Sequence, residues 1–147
     1  MSTAIVTTTL ALPLAHRGKV RDVYHLGDRL LVVATDRISA FDVVLPTPVP
    51  DKGKVLNALS LWWFDVFQDI PNDLAEDQTL PRTRFFSPDD PQLKGRTMIV
   101  DRLDMHPVEC VARGYLAGSA WAEYREGGSV CGIKLRPGMR EADKLDE

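Results

Sequence analysis

A basic segment with a central glycine stands near the start of the chain: RGKVRD, at residues 17–22. A glycine lets the backbone approach a ligand closely, and cations beside backbone N–H groups form a site that suits a polyphosphate. If this segment is a strand, Lys19 and Arg21 point to one face and Val20 to the other. The alternative is an exposed edge strand that carries charges and binds nothing. Gly18 and the three residues after it are the first candidate binding residues.

A second polar segment, DRISAFD at residues 36–42, directly follows an apolar run that is typical of a buried strand. Two carboxylates, an arginine and a hydroxyl at the end of a strand suit a ligand site, because binding residues often lie on loops held by a rigid scaffold. Short Asp and Ser side chains also satisfy the N–H groups of loops, so local capping explains the segment equally well. Ser39 and Asp42 are the candidate ligand contacts here.

A third segment, LDMHPVECVARGYLAGS at residues 103–119, combines an isolated acid, an arginine and a serine. Glu109 stands in an apolar stretch that Arg113 ends, and a carboxylate there must pair with a cation or bind a donor-rich ligand. Ser119 caps a short predicted helix over residues 120–125, which a Gly-Gly pair ends. An arginine beside a helix N-terminus suits a phosphate monoester. The alternative is a structural ion pair between Glu109 and Arg113.

The composition excludes several classes of protein. The chain has 147 residues, of which 44% are hydrophobic and 27% charged, so we expect a packed core rather than wholesale disorder. The formal net charge of −3 disfavours general binding to nucleic acid or to a membrane surface. No apolar run approaches the roughly 20 residues that span a bilayer. Two cysteines without metal-ligand spacing suit a reducing cytoplasm better than a disulfide.

Strands are predicted on both sides of these candidate sites. Residues 18–35 are typical of a β-hairpin that turns at Gly27 and whose first strand begins at the glycine of the basic segment. Residues rich in β-formers predict further strands over 82–86, 96–103, 108–113 and 129–135.

A long helix is predicted over residues 52–68, where apolar residues recur at helical spacing, and Asp51 is its expected N-cap. The apolar stripe is wide and includes Trp62 and Trp63. We therefore expect this helix to pack against a sheet, with its tryptophans in the core rather than against a ligand.

The order of these segments resembles the SAICAR synthetase family. The sequences GKVRDVY, DRISAFD, PDKGKVLNALS with WWF, LDMHPVECVARGYLAGS and EADKL follow one another as in that family, from residue 18 to the end of the chain. The pattern PVEC-x-x-R-x-x-x-AGS is highly specific. Members of the family are ATP-dependent ligases of de novo purine biosynthesis. They join the carboxylate of carboxyaminoimidazole ribonucleotide to the amine of L-aspartate, giving SAICAR, ADP and phosphate.

The resemblance implies an α+β fold in two parts. Residues 1–103 would form an antiparallel-sheet, ATP-binding lobe similar to the N-terminal lobe of a protein kinase. Residues 104–147 would form the hinge and the start of a second lobe related to ATP-grasp enzymes, with ATP between the lobes. Complete members are about twice as long, so we expect this chain to be the N-terminal half of a synthetase, truncated in the second lobe and with little activity alone.

The resemblance also implies roles for individual residues. Those that would bind ATP, with the basic segment over its phosphates and a hinge at its adenine, are Gly18, Lys19, Val20, Arg21, Asp104 and Met105. Those that would bind the other substrates, with the ribonucleotide phosphate on the arginine and its neighbouring serine, are Glu109, Arg113, Ser119, Ser39 and Asp42. No catalytic residue and no metal ligand is assigned.

ATP and Mg²⁺ are the implied cofactors, and the implied partners are small molecules rather than nucleic acid or a membrane. A homo-oligomer is compatible with the family, and a cytoplasmic location is expected. The alternative function is a non-enzymatic nucleotide-binding module. A kinase-like phosphotransferase ranks below it, because no segment resembles a kinase catalytic loop.

Overall fold

The computed structural model describes residues 3–80, 87, 89–108 and 110–145. The chain divides into two compact units, Met1–Asp104 and Met105–Glu147. This boundary lies one residue from the one expected at 103. The predicted strand at residues 82–86 lies outside the described residues.

The two units are α+β, as predicted, and their sheets are antiparallel. In chain order the first unit contains β1 (Leu14–Arg17), β2 (Arg21–Leu26), β3 (Arg29–Ala34), β4 (Ser39–Ala40), β5 (Val43–Val44), α1 (Lys52–Val66) and β6 (Thr97–Asp101). The second unit contains α2 (Ser119–Gly127), β7 (Ser129–Val130) and β8 (Ile133–Lys134). The main sheet has the order β1-β2-β3-β6, and β4-β5 and β7-β8 are separate two-stranded sheets.

The hairpin formed by β2 and β3 is the predicted one, and Gly27 turns it with a φ of 65°. The prediction that its first strand begins at Gly18 is wrong, because β1 precedes it and pairs with β2. Residues 18–20 are therefore the turn between two strands, and Lys19 does not alternate with Arg21 along a strand. The four residues of β1 are all exposed, so the strand has no apolar alternation that would predict it.

The core of the first unit lies on one face of the main sheet. Strand register aligns Tyr24, Leu31 and Ile99 in one row across β2, β3 and β6. All three are buried, and Ala75 and Leu93, from the segment between α1 and β6, join the same apolar cluster. This row fixes the register of the sheet, because a shift by one residue would turn it to the other face.

Helix α1 begins at Lys52, as predicted, and ends slightly earlier than expected. Asp51 occupies the N-cap position with a φ of 63°, but its side chain makes no capping hydrogen bond. The helix approaches β3 closely at Gly53, where an added Cβ would lie 2.1 Å from the carbonyl oxygen of Ala34. A glycine is therefore what allows the start of α1 to touch the sheet.

The prediction that the apolar stripe of α1 is buried is wrong. The buried residues of α1 are Gly53 and Asn57, whereas Trp62 is 53% and Trp63 44% exposed. The tryptophan rings contact each other with centroids 4.5 Å apart, and Trp63 stacks on Phe67 at 5.2 Å. The helical spacing shows that these apolar residues share one face of α1, but it does not show whether another element packs on that face. None of the helices in the described part of the chain could span a bilayer.

The second unit is organised around α2. The helix ends two residues later than predicted but at the expected Gly-Gly pair, with Gly128 at the C-cap donating its N–H to the carbonyl of Tyr124. The expectation that Ser119 caps the helix is wrong, because Gly118 holds the N-cap position and Ser119 is the first helical residue. The buried core of this unit consists of Leu116, Ala120, Tyr124 and Met139.

Two strand predictions in the second unit are wrong. Residues 108 and 110–113 have no strand structure, and Val108 and Val111 are 71% and 61% exposed, so their alternation does not reflect a buried face. Residues 129–135 form the β7–β8 hairpin instead of one strand, because Cys131 and Gly132 turn the chain with positive φ values. Cys110 and Cys131 are free and exposed.

Candidate functional site

The basic segment forms a tight turn between β1 and β2. The N–H of Gly18 donates to the carbonyl of Arg21 at 2.8 Å and closes it. The guanidinium of Arg37 donates to the carbonyls of Gly18 at 2.9 Å, Lys19 at 3.0 Å and Arg21 at 3.2 Å. The carbonyl of Val20 accepts two hydrogen bonds from Thr35, one from its N–H at 3.1 Å and one from its hydroxyl at 2.8 Å.

Each of the four carbonyls of the turn, at residues 18–21, thus accepts a hydrogen bond from another group of the protein. Within the described residues, the N–H groups of Lys19 and Val20 donate to no protein acceptor. Consecutive unpaired N–H groups in a turn form a concavity that binds anions. Beside a lysine and an arginine, this turn is suited to phosphate.

Asp22 anchors the arginine that shapes this turn. The carboxylate is fully buried and accepts hydrogen bonds from the Arg37 Nη2 at 2.8 Å and the Arg17 Nε at 3.1 Å. Thr8 adds its N–H at 2.9 Å and its hydroxyl at 2.8 Å. Burial alone would raise the pKa of Asp22, but the hydrogen bonds from Thr8 and Arg37 outweigh it and hold the pKa below its usual value. Sequence reasoning placed Arg37 in the DRISAFD segment without linking it to the turn.

The neighbouring Asp36 is structural, as the capping alternative for its segment suggests. It is buried and accepts from the Arg96 Nη1 at 2.8 Å, the Gly53 N–H at 2.9 Å and the Ile5 N–H at 2.8 Å. Burial would raise the pKa of Asp36, but Arg96 and the two N–H groups hold it below its usual value. The carboxylate thereby ties the end of β3 to the start of α1.

The structure brings Asp42 to the turn at residues 18–21. Its carboxylate forms an ion pair with the Lys19 ammonium, and the hydrogen bond from Lys19 lowers the pKa of Asp42. The side chains are 53% and 90% exposed, so water screens the pair and an anionic ligand can compete for the lysine. Ser39 lies in β4 of the same small hairpin and is half-buried. The predicted nucleotide and substrate groups are therefore neighbours here.

In the second unit, Arg113 and Ser119 come together. The Arg113 Nη2 donates to the Ser119 Oγ at 3.0 Å, at the first residue of α2. Both residues are exposed and line a cavity of about 450 Å³ whose other walls include Val111, Ala120 and Ile133. An arginine and a hydroxyl at the rim of a largely apolar cavity can hold a phosphate while the rest of the ligand lies inside.

Two predicted site residues, Asp104 and Met105, show no comparable contact among the described residues, and a third is not described. Asp104 ends the first unit and Met105, which is 84% exposed, begins the second. Glu109 lies outside the described residues, so its ion pair with Arg113 stays untested. Across the described part of the chain, no three His, Cys, Asp or Glu side chains converge as metal ligands.

Comparison with known proteins gives the family of the chain. A family model described as SAICAR synthetase matches residues 14–147. The phosphoribosylaminoimidazole-succinocarboxamide synthase of Chromobacterium violaceum is 53% identical over 134 residues, which cover 90% of this chain and 46% of that protein. The synthase of the same name from Nitrosomonas europaea is 46% identical over 151 residues, covering 100% of this chain and 50% of that protein.

Solved structures agree as well. A SAICAR synthase matches with a TM-score of 0.86 and 40% identity, over 98% of this chain and 52% of that one. The SAICAR synthase of Saccharomyces cerevisiae complexed with SAICAR matches with a TM-score of 0.86 and 39% identity over the same shares. The chain spans about half the length of the relatives it matches. Because the family model and these relatives cover nearly all of it, the chain belongs to the SAICAR synthetase family.

Proposed function

We propose that this chain serves an ATP-dependent carbon–nitrogen ligase of purine biosynthesis, which joins carboxyaminoimidazole ribonucleotide to L-aspartate and yields SAICAR, ADP and phosphate. The structural observation that carries the proposal is the turn at residues 18–21, whose carbonyls are all engaged and whose cations flank unpaired N–H groups. The yeast relative that was solved in complex with SAICAR supports the same substrate class.

The chemistry explains why such a turn is needed. A carboxylate is a poor electrophile, so its oxygen first attacks the terminal phosphorus of ATP, giving an acyl phosphate and ADP. The aspartate amine then attacks the acyl carbon, phosphate leaves and the nitrogen loses a proton. Phosphoryl transfer depends on positioning and on neutralising phosphate charge more than on covalent catalysis by the protein. In this proposal the fixed N–H groups of the turn position the phosphates, and its cations neutralise their charge.

Individual roles follow from the family resemblance and from the geometry. Six residues would bind ATP: Gly18, Lys19, Val20 and Arg21 at the phosphates, and Asp104 and Met105 at adenine. Five would bind the other substrates: Arg113 and Ser119 at the ribonucleotide phosphate, Glu109 near the same molecule, and Ser39 and Asp42 lining the substrate cleft. The contact of Arg113 with Ser119 supports their shared role, and the ion pair of Lys19 with Asp42 supports adjacent binding of ATP and of the second substrate.

The finer features of the fold are proposals too: a first unit similar to a kinase N-terminal lobe and a second related to ATP-grasp enzymes. Mg²⁺ is proposed only as a companion of the nucleotide, because this ion usually binds substrate phosphates with one or two protein carboxylates. The described residues form no metal site of their own, so no step is assigned to the ion. A cytoplasmic location fits two exposed, free thiols.

The decisive assay quantifies ADP and SAICAR together after incubation with ATP, the ribonucleotide and aspartate. Because the chain spans about half of its relatives' length, we expect little turnover from it alone, and the product of the complete reading frame is the reference. Equal amounts of ADP and SAICAR from the reference support the ligase. Bound nucleotide without any product would favour a non-enzymatic nucleotide-binding module, and ADP without SAICAR a phosphotransferase.

A further inference from the structure

Basic side chains outnumber acidic ones around the phosphate-binding turn and the start of α1. The cations are Arg17, Lys19, Arg21, Arg37, Lys52, Lys54 and Arg96, and the carboxylates are Asp22, Asp36, Asp42 and Asp51. Arg17 and Arg37 pair with Asp22, Lys19 with Asp42, Lys54 with Asp51 and Arg96 with Asp36. Within the described residues, Arg21 and Lys52 form no ion pair. On a chain of net charge −3, two unpaired neighbouring cations indicate an anionic ligand.

Lys52 is held in this cluster without a carboxylate of its own. Its burial and its proximity to Arg21 and Arg37 lower the pKa of Lys52, against an opposing effect of Asp36. Asp36 is already bonded by Arg96 at 2.8 Å. Asp51, the adjacent acid in the chain, pairs with Lys54 at 2.7 Å. Lys52 is therefore partly buried near Asp36 without an ion pair of its own among the described residues, and it would gain a direct partner from a bound anion.

Arg21 and Lys52 line the same small cavity, of about 40 Å³, between the turn and α1. Val20, whose N–H is unpaired in the turn, lines it too, so the cavity adjoins the phosphate-binding turn. The space holds a few water-sized groups and therefore one phosphoryl or carboxylate group, not a whole nucleotide.

Asn57 adds an unsatisfied acceptor to this cavity. Its side chain lines the cavity, the residue is only 4% exposed, and its Oδ1 is buried without a hydrogen-bond partner. An oxyanion has no hydrogen to donate to this oxygen, but an ordered water can donate one hydrogen to it and the other to an oxyanion in the cavity.

We propose that Arg21, Lys52 and Asn57 form an oxyanion subsite beside the phosphate-binding turn, which takes a single phosphoryl or carboxylate group from a substrate whose body lies outside the cavity. The two cations hold the oxyanion, and an ordered water bridges it to the Oδ1 of Asn57. In the context of the proposed ligase, on which this identification of the source rests, the group comes from the terminal phosphate of ATP or from a carboxylate of aspartate.

Calorimetric titration of the chain with pyrophosphate, ATP, ADP and L-aspartate tests the subsite. Lys52→Gln and Arg21→Gln each remove one charge from it. Lys54→Gln is the matched control, since it removes the same charge two residues along α1, from a side chain that pairs with Asp51 and does not line the cavity. We expect Lys52→Gln to weaken binding of the ligand that uses the subsite about ten- to hundredfold, and Lys54→Gln less than about threefold.

The pattern across ligands identifies the source. A loss for ATP and pyrophosphate with ADP and aspartate unchanged supports a terminal phosphoryl group, and a loss for aspartate alone supports a carboxylate. Asn57→Asp, which puts a negative charge into the cavity, should weaken the same ligand. Because Asn57 is buried, circular dichroism must show that this variant is folded; the half-exposed Lys52 carries the test if it is not.

Equal effects of Lys52→Gln and Lys54→Gln on all four ligands would overturn the subsite, as would a wild-type chain that binds none of them. Failure of the subsite and failure of the proposed function are separable. SAICAR formation by the complete protein that is unchanged by Lys52→Gln would keep the ligase and exclude the subsite. Pyrophosphate binding that depends on Lys52 would keep the subsite even if no SAICAR is formed.

Discussion

The Nη2 atom of Arg37 lies 2.8 Å from the Oδ1 atom of the buried Asp22, and the same guanidinium donates to three carbonyls of the turn at residues 18–21, where we propose that phosphate binds. A planar guanidinium with five donors in a fixed geometry can make these contacts together, whereas a lysine ammonium cannot. The shape of the turn therefore depends on a residue that lies sixteen or more positions away in the chain.

Replacing this arginine should weaken nucleotide binding without loss of the fold. We expect Arg37→Lys to reduce ATP affinity by about 1.5–3 kcal/mol, because the carbonyls of the turn lose their charged donor and the N–H groups lose their fixed orientation. Affinity for the ribonucleotide should not change, since its proposed site is in the other unit. Arg29→Lys, at an exposed pair with Asp101, is the control. Unchanged ATP binding by Arg37→Lys would show that the turn keeps its shape without it.

Acid should destabilise the first unit through Asp22 and Asp36. Both carboxyl groups have pKa values in the folded protein below their ordinary value of 3.8. The stability they contribute is therefore fully present well above pH 4, and it is lost as the pH falls through 3.8 towards the folded pKa values. Urea unfolding between pH 7 and pH 2 should show a decline that begins below about pH 5.

Replacing one of these carboxylates distinguishes its contribution from the destabilisation that other groups cause in acid. Asp36→Asn should cost about 3–5 kcal/mol at neutral pH, because it leaves the buried Arg96 without its counter-charge, and it should flatten the decline in acid. Asp28→Asn, at the exposed turn of the hairpin, should leave the free energy of unfolding at neutral pH nearly unchanged. An Asp36→Asn variant as stable as the parent at pH 7 would contradict the structural role given to Asp36.

A methyl group at Gly53 should separate α1 from the sheet. The added Cβ would meet the Ala34 carbonyl oxygen at 2.1 Å and the Arg96 Nη1 at 2.6 Å. Helix propensity favours alanine by about 1 kcal/mol, but overpacking costs about 1–3 kcal/mol or more, and a clash with backbone decides the sign. Gly53→Ala should therefore lower the midpoint of thermal unfolding. Gly114→Ala, where a Cβ meets nothing within 4 Å, should not; equal midpoints would contradict the close approach.

Local sequence signals predicted the elements that depend on local chemistry. Gly27 marked the β2–β3 turn through its need for a positive φ, and apolar spacing marked α1. The strand β1 left no such signal, since all four of its residues are exposed and its place is set by pairing with β2. The burial of Trp62 and Trp63 was mispredicted, because the spacing of apolar residues shows which of them share a helix face but not whether another element packs against that face.

The candidate sites were predictable to a similar extent. Residue types pointed to phosphate at Gly18–Arg21 and at Arg113 with Ser119, and the structure gives both groups a suitable geometry. The part played by Arg37 could not be predicted, because its contacts cross from the DRISAFD segment to a turn that looked like a strand. The same limit hid Lys52 and Asn57, whose position beside Arg21 depends on how α1 meets the sheet.

The central claim is that the two units carry two separate phosphate-binding groups, one for ATP and one for the ribonucleotide. Calorimetry with both ligands on Lys19→Ala and Arg113→Ala tests it most directly, since each removed contact is worth about 1.5–3 kcal/mol. We expect Lys19→Ala to weaken ATP and spare the ribonucleotide, and Arg113→Ala to do the reverse. Parallel losses of both ligands in both variants would contradict the claim.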